Sequence, residues 1–254
     1  MPFTWVVAGL AVLVLVIVGL RLGPLAPSRS GSSPTPGGSA SPPLVTPPLP
    51  ECAFGDLPAA RSGYRQWATT FVDTTYGLSR TYVPPDLVPA SGAGFSHVFQ
   101  VRSVVLADLD ALRRGAEAAG SPIELEAAYR SYEQQASLFA ERASEFGGKA
   151  ARVKTARPGH SEHQLGTTVD FKSAGDADVD IFWEGTPAGA WVAKNAWRYG
   201  FVQSYPKAKE DVTCYAFEPW HYRYVGRPLA GKVHESGLSL REYLWRLVAP
   251  KQPA

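Results

Sequence analysis

Three side chains that would have to meet constrain this chain more than any other feature. His163 and Asp170 lie in the stretch Ser161–Asp170, SEHQLGTTVD, and His221 lies much later, in Glu218–His221, EPWH. To serve one metal, a loop running into a strand at 163–170 must be met by a segment from far along the chain. His/Asp/His ligation leaves a fourth position on zinc open to water, which is the catalytic rather than the structural arrangement. Glu218, three residues before His221, would then act as a general base beside that water. Each histidine alone reads more simply as a satisfied core or surface imidazole. It is the joint pattern that points to a metal.

That joint pattern, S-x-H-x-x-G-x-x-x-D followed by E-x-W-H, resembles the signature of the VanY-type D-alanyl-D-alanine carboxypeptidases, zinc peptidases of bacterial cell-wall peptides. Two further blocks resemble the family and occur in its order: AYRSYEQQ at Ala128–Gln135 and, less specifically, YVPPDLV at Tyr82–Val88. The resemblance runs from about Tyr82 to Val225. It implies an α+β fold of the Hedgehog/DD-peptidase kind, a small antiparallel sheet carrying zinc with helices packed around it. It implies His163, Asp170 and His221 as zinc ligands, Glu218 as catalytic base and Arg130 as a substrate-holding and catalytic arginine. Gln135 and Ser161 would line the peptide site, and Trp220 would form a wall of the pocket. Thr168 departs from the family's usual alanine. The implied substrate is the peptidoglycan stem peptide, from which a C-terminal D-alanine would be released. The same motifs serve L,D-carboxypeptidases, endopeptidases and dipeptidases, and a non-catalytic wall-binding protein is a rival that the presence of Glu218 disfavours.

The residues before this region set its surroundings. Phe3–Leu20, FTWVVAGLAVLVLVIVGL, is uncharged and close to the shortest membrane-spanning length. RLGPLAPS after it contains no A-x-A cleavage site, so an uncleaved anchor over 1–23 is expected in preference to a signal peptide. Pro24–Pro50 is rich in Pro, Ser and Gly, has too few large apolar residues to order itself, and reads as a disordered spacer. Residues 51–254 then form the catalytic domain, held on the wall-facing side of a bacterial membrane by a single-pass anchor. Arg21 and Arg29, which follow the apolar run, oppose that orientation under the positive-inside rule; the spacer, the cysteines and the resemblance favour it. A formal net charge of +2 with no dense basic run gives no reason to expect nucleic acid as a partner.

There are two cysteines, Cys52 and Cys214. In an exported chain they most simply form one disulfide, worth on the order of 5 kcal/mol in the chain-entropy model. Cys52 lies too far from the apolar run for a lipoprotein cysteine, and Cys214 as a metal ligand is a weaker reading than the histidine set. His160 is expected near the site or at the surface, and His97 and His234 at the surface.

Local patterns place the elements. Arg61–Asp73 suggests a short helix, and Thr74–Ser96, with Pro84, Pro85 and Pro89, an extended loop. Val101, Val105, Leu109, Leu112 and Ala116 predict a helix over Val101–Ala119 capped at Gly120. Ile123–Ala127 alternates as a half-buried strand. Arg130 follows at the junction with a helix capped by Ser131 and Gln134 and ended by Gly147–Gly148. Its planar fork there suits a carboxylate. Lys149–His160 reads as a basic loop, and Thr167–Phe171 as the strand that projects Asp170. Thr186–Pro187 opens a helix closed by Gly200, with Trp191 and Trp197 toward the core. Cys214–Phe217 and His221–Val225 read as strands broken by Pro219. Ser239 and Glu242 cap a last helix through Val248.

Overall fold

The computed structural model describes residues 44–250 and 252–253. The expected membrane helix at Phe3–Leu20 and most of the expected spacer lie outside these. Among the described residues no helix is long and apolar enough to cross a membrane.

The architecture is α+β. Four strands form one antiparallel sheet: β1 (Ile123–Ala127), β2 (Thr168–Ser173), β3 (Phe201–Gln203) and β4 (His221–Tyr224), in the order β1-β2-β4-β3. Side chains alternate across a strand, and here the alternation separates packing from chemistry. Leu125, Val169, Phe171, Tyr222 and Tyr224 turn to one face and join the main core. Asp170, His221 and Arg223 belong to the opposite face.

Helices cover the apolar face. α1 (Leu106–Ala118) lays Leu109, Leu112 and Ala116 against it, all fully buried. Each of the two leucines contributes about 1.5–3 kcal/mol through burial. α4 (Pro187–Asn195) adds Ala188 and Val192. On the other side, α2 (Tyr132–Phe146) and α3 (Gly148–Lys154) flank the chemical face. α5 (Arg227–Ser236) and α6 (Leu240–Val248) enclose a second core with Phe71, Val225, Leu244 and Trp245. The last residues read as spacer lie on α6: the Trp245 indole donates to the carbonyls of Pro47 (3.0 Å) and Pro48 (2.9 Å), and Arg241 donates to that of Pro50 (3.0 Å).

Several local expectations are met. The capping boxes at Ser131/Gln134 and Ser239/Glu242 are closed, and Thr186 caps α4 ahead of Pro187. Others are corrected. α1 begins at Leu106, because Gln100–Arg102 is drawn into an antiparallel pair with Leu87–Pro89 and a 3-10 turn follows it. Arg61–Asp73 holds only the 3-10 turn Tyr64–Gln66, since Phe71 bridges back to Ala60. Part of the expected basic loop is α3, anchored by the buried Ala151. Trp191 and Trp197 are only partly buried, and Trp197 stacks on the His234 ring at 4.3 Å. Cys214–Phe217 is not a strand: Cys214 takes φ 70° at the end of the helical turn Glu210–Thr213, and the Ala216 N–H is taken by the Val153 carbonyl.

Candidate active site

Each side chain of the site is aimed by a local device. Glu162–Leu165 forms a 3-10 turn whose cap is Ser161, its Oγ accepting from the His163 N–H at 3.3 Å. Gly166 ends the turn at φ 70°, in the left-handed region where L side chains are disfavoured. A Cβ there would meet Leu87 at 2.9 Å and Arg102 at 3.0 Å, which accounts for the glycine of the motif. The chain then enters β2, where Asp170 pairs in register with His221 of β4 on one side and Ala127 of β1 on the other. A bulge between Leu125 and Ala127 ends β1 beside the site and turns the chain toward Arg130, whose N–H donates to the His163 carbonyl at 3.3 Å. Glu218 lies in a turn, the His221 N–H donating to its carbonyl at 3.3 Å. That turn, rather than a strand, puts Glu218 beside His221.

His163, Asp170 and His221 converge, all buried, with donor atoms within 4.8 Å of one another. The hydrogen bonds around them decide what the centre lacks. His163 Nδ1 is 2.7 Å from the Ala128 carbonyl, so it carries the proton and leaves Nε2 bare, 3.2 Å from Asp170 Oδ2. His221 Nε2 is 3.1 Å from Glu162 Oε2, which leaves Nδ1 bare, 3.2 Å from Asp170 Oδ1 and 3.4 Å from Glu218 Oε2. Asp170 Oδ1 has no hydrogen-bond partner among the described residues. Bare nitrogens and carboxylate oxygens thus face one another with no donor between them. A cation satisfies all of them, and two imidazoles with one carboxylate suit zinc.

The electrostatics agree. Burial disfavours a charged His221 ring, yet its contacts with Asp170 and Glu162 hold its pKa up to about 10. Burial opposes ionisation of Glu162, but the Arg223 guanidinium and His221 bring it down to about 2. Burial, together with the charge of Asp170, pushes Glu218 up to about 7 despite His221 and Arg130. Burial lowers Arg130, against the pull of Asp170 and Glu218.

An open cavity of about 330 Å³ lies over this centre. It brings together all the residues expected at the site: Arg130, Gln135, Ser161, His163, Asp170, Glu218, Trp220 and His221. Trp220 is half-buried and forms part of the wall. Gln135 lines the cavity and also braces Arg130. Its Oε1 accepts from Arg130 at 2.8 Å and its Nε2 donates to the Ala156 carbonyl at 2.6 Å, so the side chain that holds Arg130 is itself anchored. Cys52 and Cys214 are joined, with Cα atoms 5.3 Å apart. The bond ties the start of the domain to the segment leading to Glu218.

Sequence reasoning missed Tyr205 and Tyr215, which line the cavity, the Tyr205 ring lying 4.6 Å from that of His221. It also missed Glu162, although SEHQ places a carboxylate directly before a candidate ligand. His160 is buried, with Nδ1 2.7 Å from the Asp73 carbonyl, and stands outside the metal group.

Comparison with known proteins supports the same assignment. Residues 98–227 match the family model for VanY, D-alanyl-D-alanine carboxypeptidase. The chain is 38% identical over 177 residues to YodJ of Bacillus subtilis, which its name places among the carboxypeptidases, covering 68% of this chain and 65% of that protein. It is 38% identical over 125 residues to a D-alanyl-D-alanine carboxypeptidase of Enterococcus faecalis, covering 46% of this chain and 45% of the relative. The chain thus spans less than two thirds of either relative. Among solved structures, the LdcB LD-carboxypeptidase aligns with TM-score 0.62 and 34% identity over 69% of this chain and 85% of its own. The D,D-pentapeptidase VanY of a VanB-type resistance cassette, solved with Zn(II), aligns with TM-score 0.61 and 30% identity over 70% of this chain and 99% of its own. With its metal-binding face, its motifs and these alignments in agreement, the chain belongs to the VanY family of D-alanyl-D-alanine carboxypeptidases.

Proposed function

We propose that this protein is a zinc-dependent carboxypeptidase that removes the C-terminal D-alanine from peptidoglycan stem peptides. The observation that carries the reading is the buried set of bare acceptors on His163, Asp170 and His221 with Glu218 3.4 Å from His221 Nδ1. His163 Nε2, His221 Nδ1 and a carboxylate oxygen of Asp170 hold the metal. Zinc, when bound, supplies Lewis-acid polarisation and makes a water molecule more acidic. Glu218 takes a proton from the attacking water and returns it to the leaving amine, a role that a carboxylate raised toward neutrality suits. Arg130, held by Gln135, offers its guanidinium to the free carboxylate of the peptide, and Trp220 and Ser161 border the bound chain. The partner is therefore the stem peptide. Phe3–Leu20 would anchor the protein in the bacterial membrane with this domain on the wall-facing side; that part of the proposal is carried by the sequence alone.

An L,D-carboxypeptidase acting on tetrapeptide stems is the second reading, favoured by the alignment to LdcB at 34% identity. Incubating the zinc-loaded protein with pentapeptide and tetrapeptide muropeptides, and following D-alanine release by mass spectrometry, separates them. Release from the pentapeptide supports the first reading, and release from the tetrapeptide alone replaces it with the second. Release from neither, with zinc bound, rejects both.

A further inference from the structure

Resting on the metal centre proposed above, we infer that Glu162 is a positioning residue that fixes His221 as an Nδ1 donor, and that Arg223 holds Glu162 in place for this. A neutral imidazole carries one proton, and the acceptor that the ring meets decides which nitrogen keeps it. At His163 the acceptor is a backbone carbonyl, that of Ala128, which no side-chain substitution can remove. At His221 it is the Glu162 carboxylate, 3.1 Å from Nε2. The two histidines thus use opposite nitrogens toward the metal, and only one of these choices depends on a side chain.

The carboxylate has little freedom to turn away. Its Oε2 also accepts from Ser204 at 2.6 Å, and its Oε1 accepts from Arg223 at 2.9 Å. Arg223 is fully buried and is itself fixed by donating to the Trp67 (3.0 Å) and Thr70 (2.7 Å) carbonyls. Two elements meet in this arrangement. The 3-10 turn that presents His163 also presents Glu162, and the strand that presents His221 presents Arg223 two residues on. A carboxylate behind a ligating histidine fixes its orientation and makes it a stronger donor, and its loss typically costs 10–100-fold in metal affinity.

The test is zinc affinity by chelator competition, with the visible spectrum of the cobalt(II)-substituted protein, for the parent, Glu162→Gln and Arg223→Lys. Glu162→Gln should bind zinc 10–100-fold more weakly with an altered cobalt spectrum, and Arg223→Lys should fall between it and the parent. Parent-like affinity and spectrum in Glu162→Gln, with only its thermal midpoint lowered, would mean a purely structural role and overturn the inference. If Glu162→Gln does not fold, nitrogen-15 imidazole spectra of the zinc-loaded parent decide. A proton on Nε2 of His221 and on Nδ1 of His163 supports the assignment; a proton on Nδ1 of His221 overturns it. A parent that binds no zinc would instead refute the metal centre itself.

Discussion

Substituting Glu218 by Gln tests the proposed chemistry with the least disturbance of the fold. The amide keeps the shape of the side chain, and the metal donors on His163, Asp170 and His221 are untouched, so zinc should still bind. What is lost is the proton acceptor 3.4 Å from His221 Nδ1. A positioned general base is worth about 10²–10⁴ in rate, equivalent to roughly 2.7–5.5 kcal/mol of barrier. Burial raises Glu218 to about 7 in the metal-free centre, and the charge of a bound zinc would draw it below that value. A general base acts when ionised, so in the parent kcat/KM should rise with pH through the Glu218 pKa and level off at or below neutrality. That rising limb should be missing from Glu218→Gln. The assay is D-alanine release by mass spectrometry across this pH range, with zinc content measured in parallel and a chelated sample as the zero. A zinc-loaded Glu218→Gln protein within threefold of the parent, with the same pH limb, would refute the assignment of the base.

Arg130→Lys should lower kcat/KM on carboxylate-terminated stems by about 10–100-fold, since a point charge replaces a planar fork in a charge-assisted contact; an unchanged ratio of free-acid to C-terminal amide substrates would count against Arg130 as the carboxylate anchor. Gly166→Ala should destabilise the fold by at least about 1–2 kcal/mol from its left-handed backbone alone, and more from the contacts with Leu87 and Arg102. A thermal midpoint equal to the parent's would show that the turn does not need glycine. Replacing Cys52 and Cys214 by serine should lower unfolding free energy by about 2–5 kcal/mol, read by denaturant titration, and unchanged stability would show that the bond contributes nothing to the native state.

What could be seen in advance depended on how local its cause was. The β1 strand and the Ser131, Thr186 and Ser239 caps each arise from neighbouring residues, and these are where pattern and structure coincide. The metal set was visible because its spacing matched a known signature, not because spacing alone could show that Asp170 and His221 are strand neighbours. The helical period from Val101 was real as a pattern of burial, yet the backbone at Gln100–Arg102 answered to a partner strand at Leu87–Pro89. Cys214–Phe217 has strand-like composition, but a left-handed Cys214 and a bond to Val153 override it. Glu162 was missed for a related reason. Its meaning comes from Ser204, His221 and Arg223, none of which is near it in the chain.

The Cys52–Cys214 bond also changes how the domain would carry mechanical load. It closes a covalent ring spanning 162 positions of the chain, and β1, β2, β3 and helices α1–α4 all lie inside it. A pull applied between the N-terminal side of Cys52 and the C-terminus would pass across the two sulfurs and on through β4, α5 and α6. The ring would be bypassed, and roughly 550 Å of extensible backbone would be withheld from stretching. His163 and Asp170 lie in the shielded ring, whereas Glu218 and His221 lie on the loaded path just beyond it. Tension on that path would reach the turn that carries Glu218 before it reached the strand that carries Asp170.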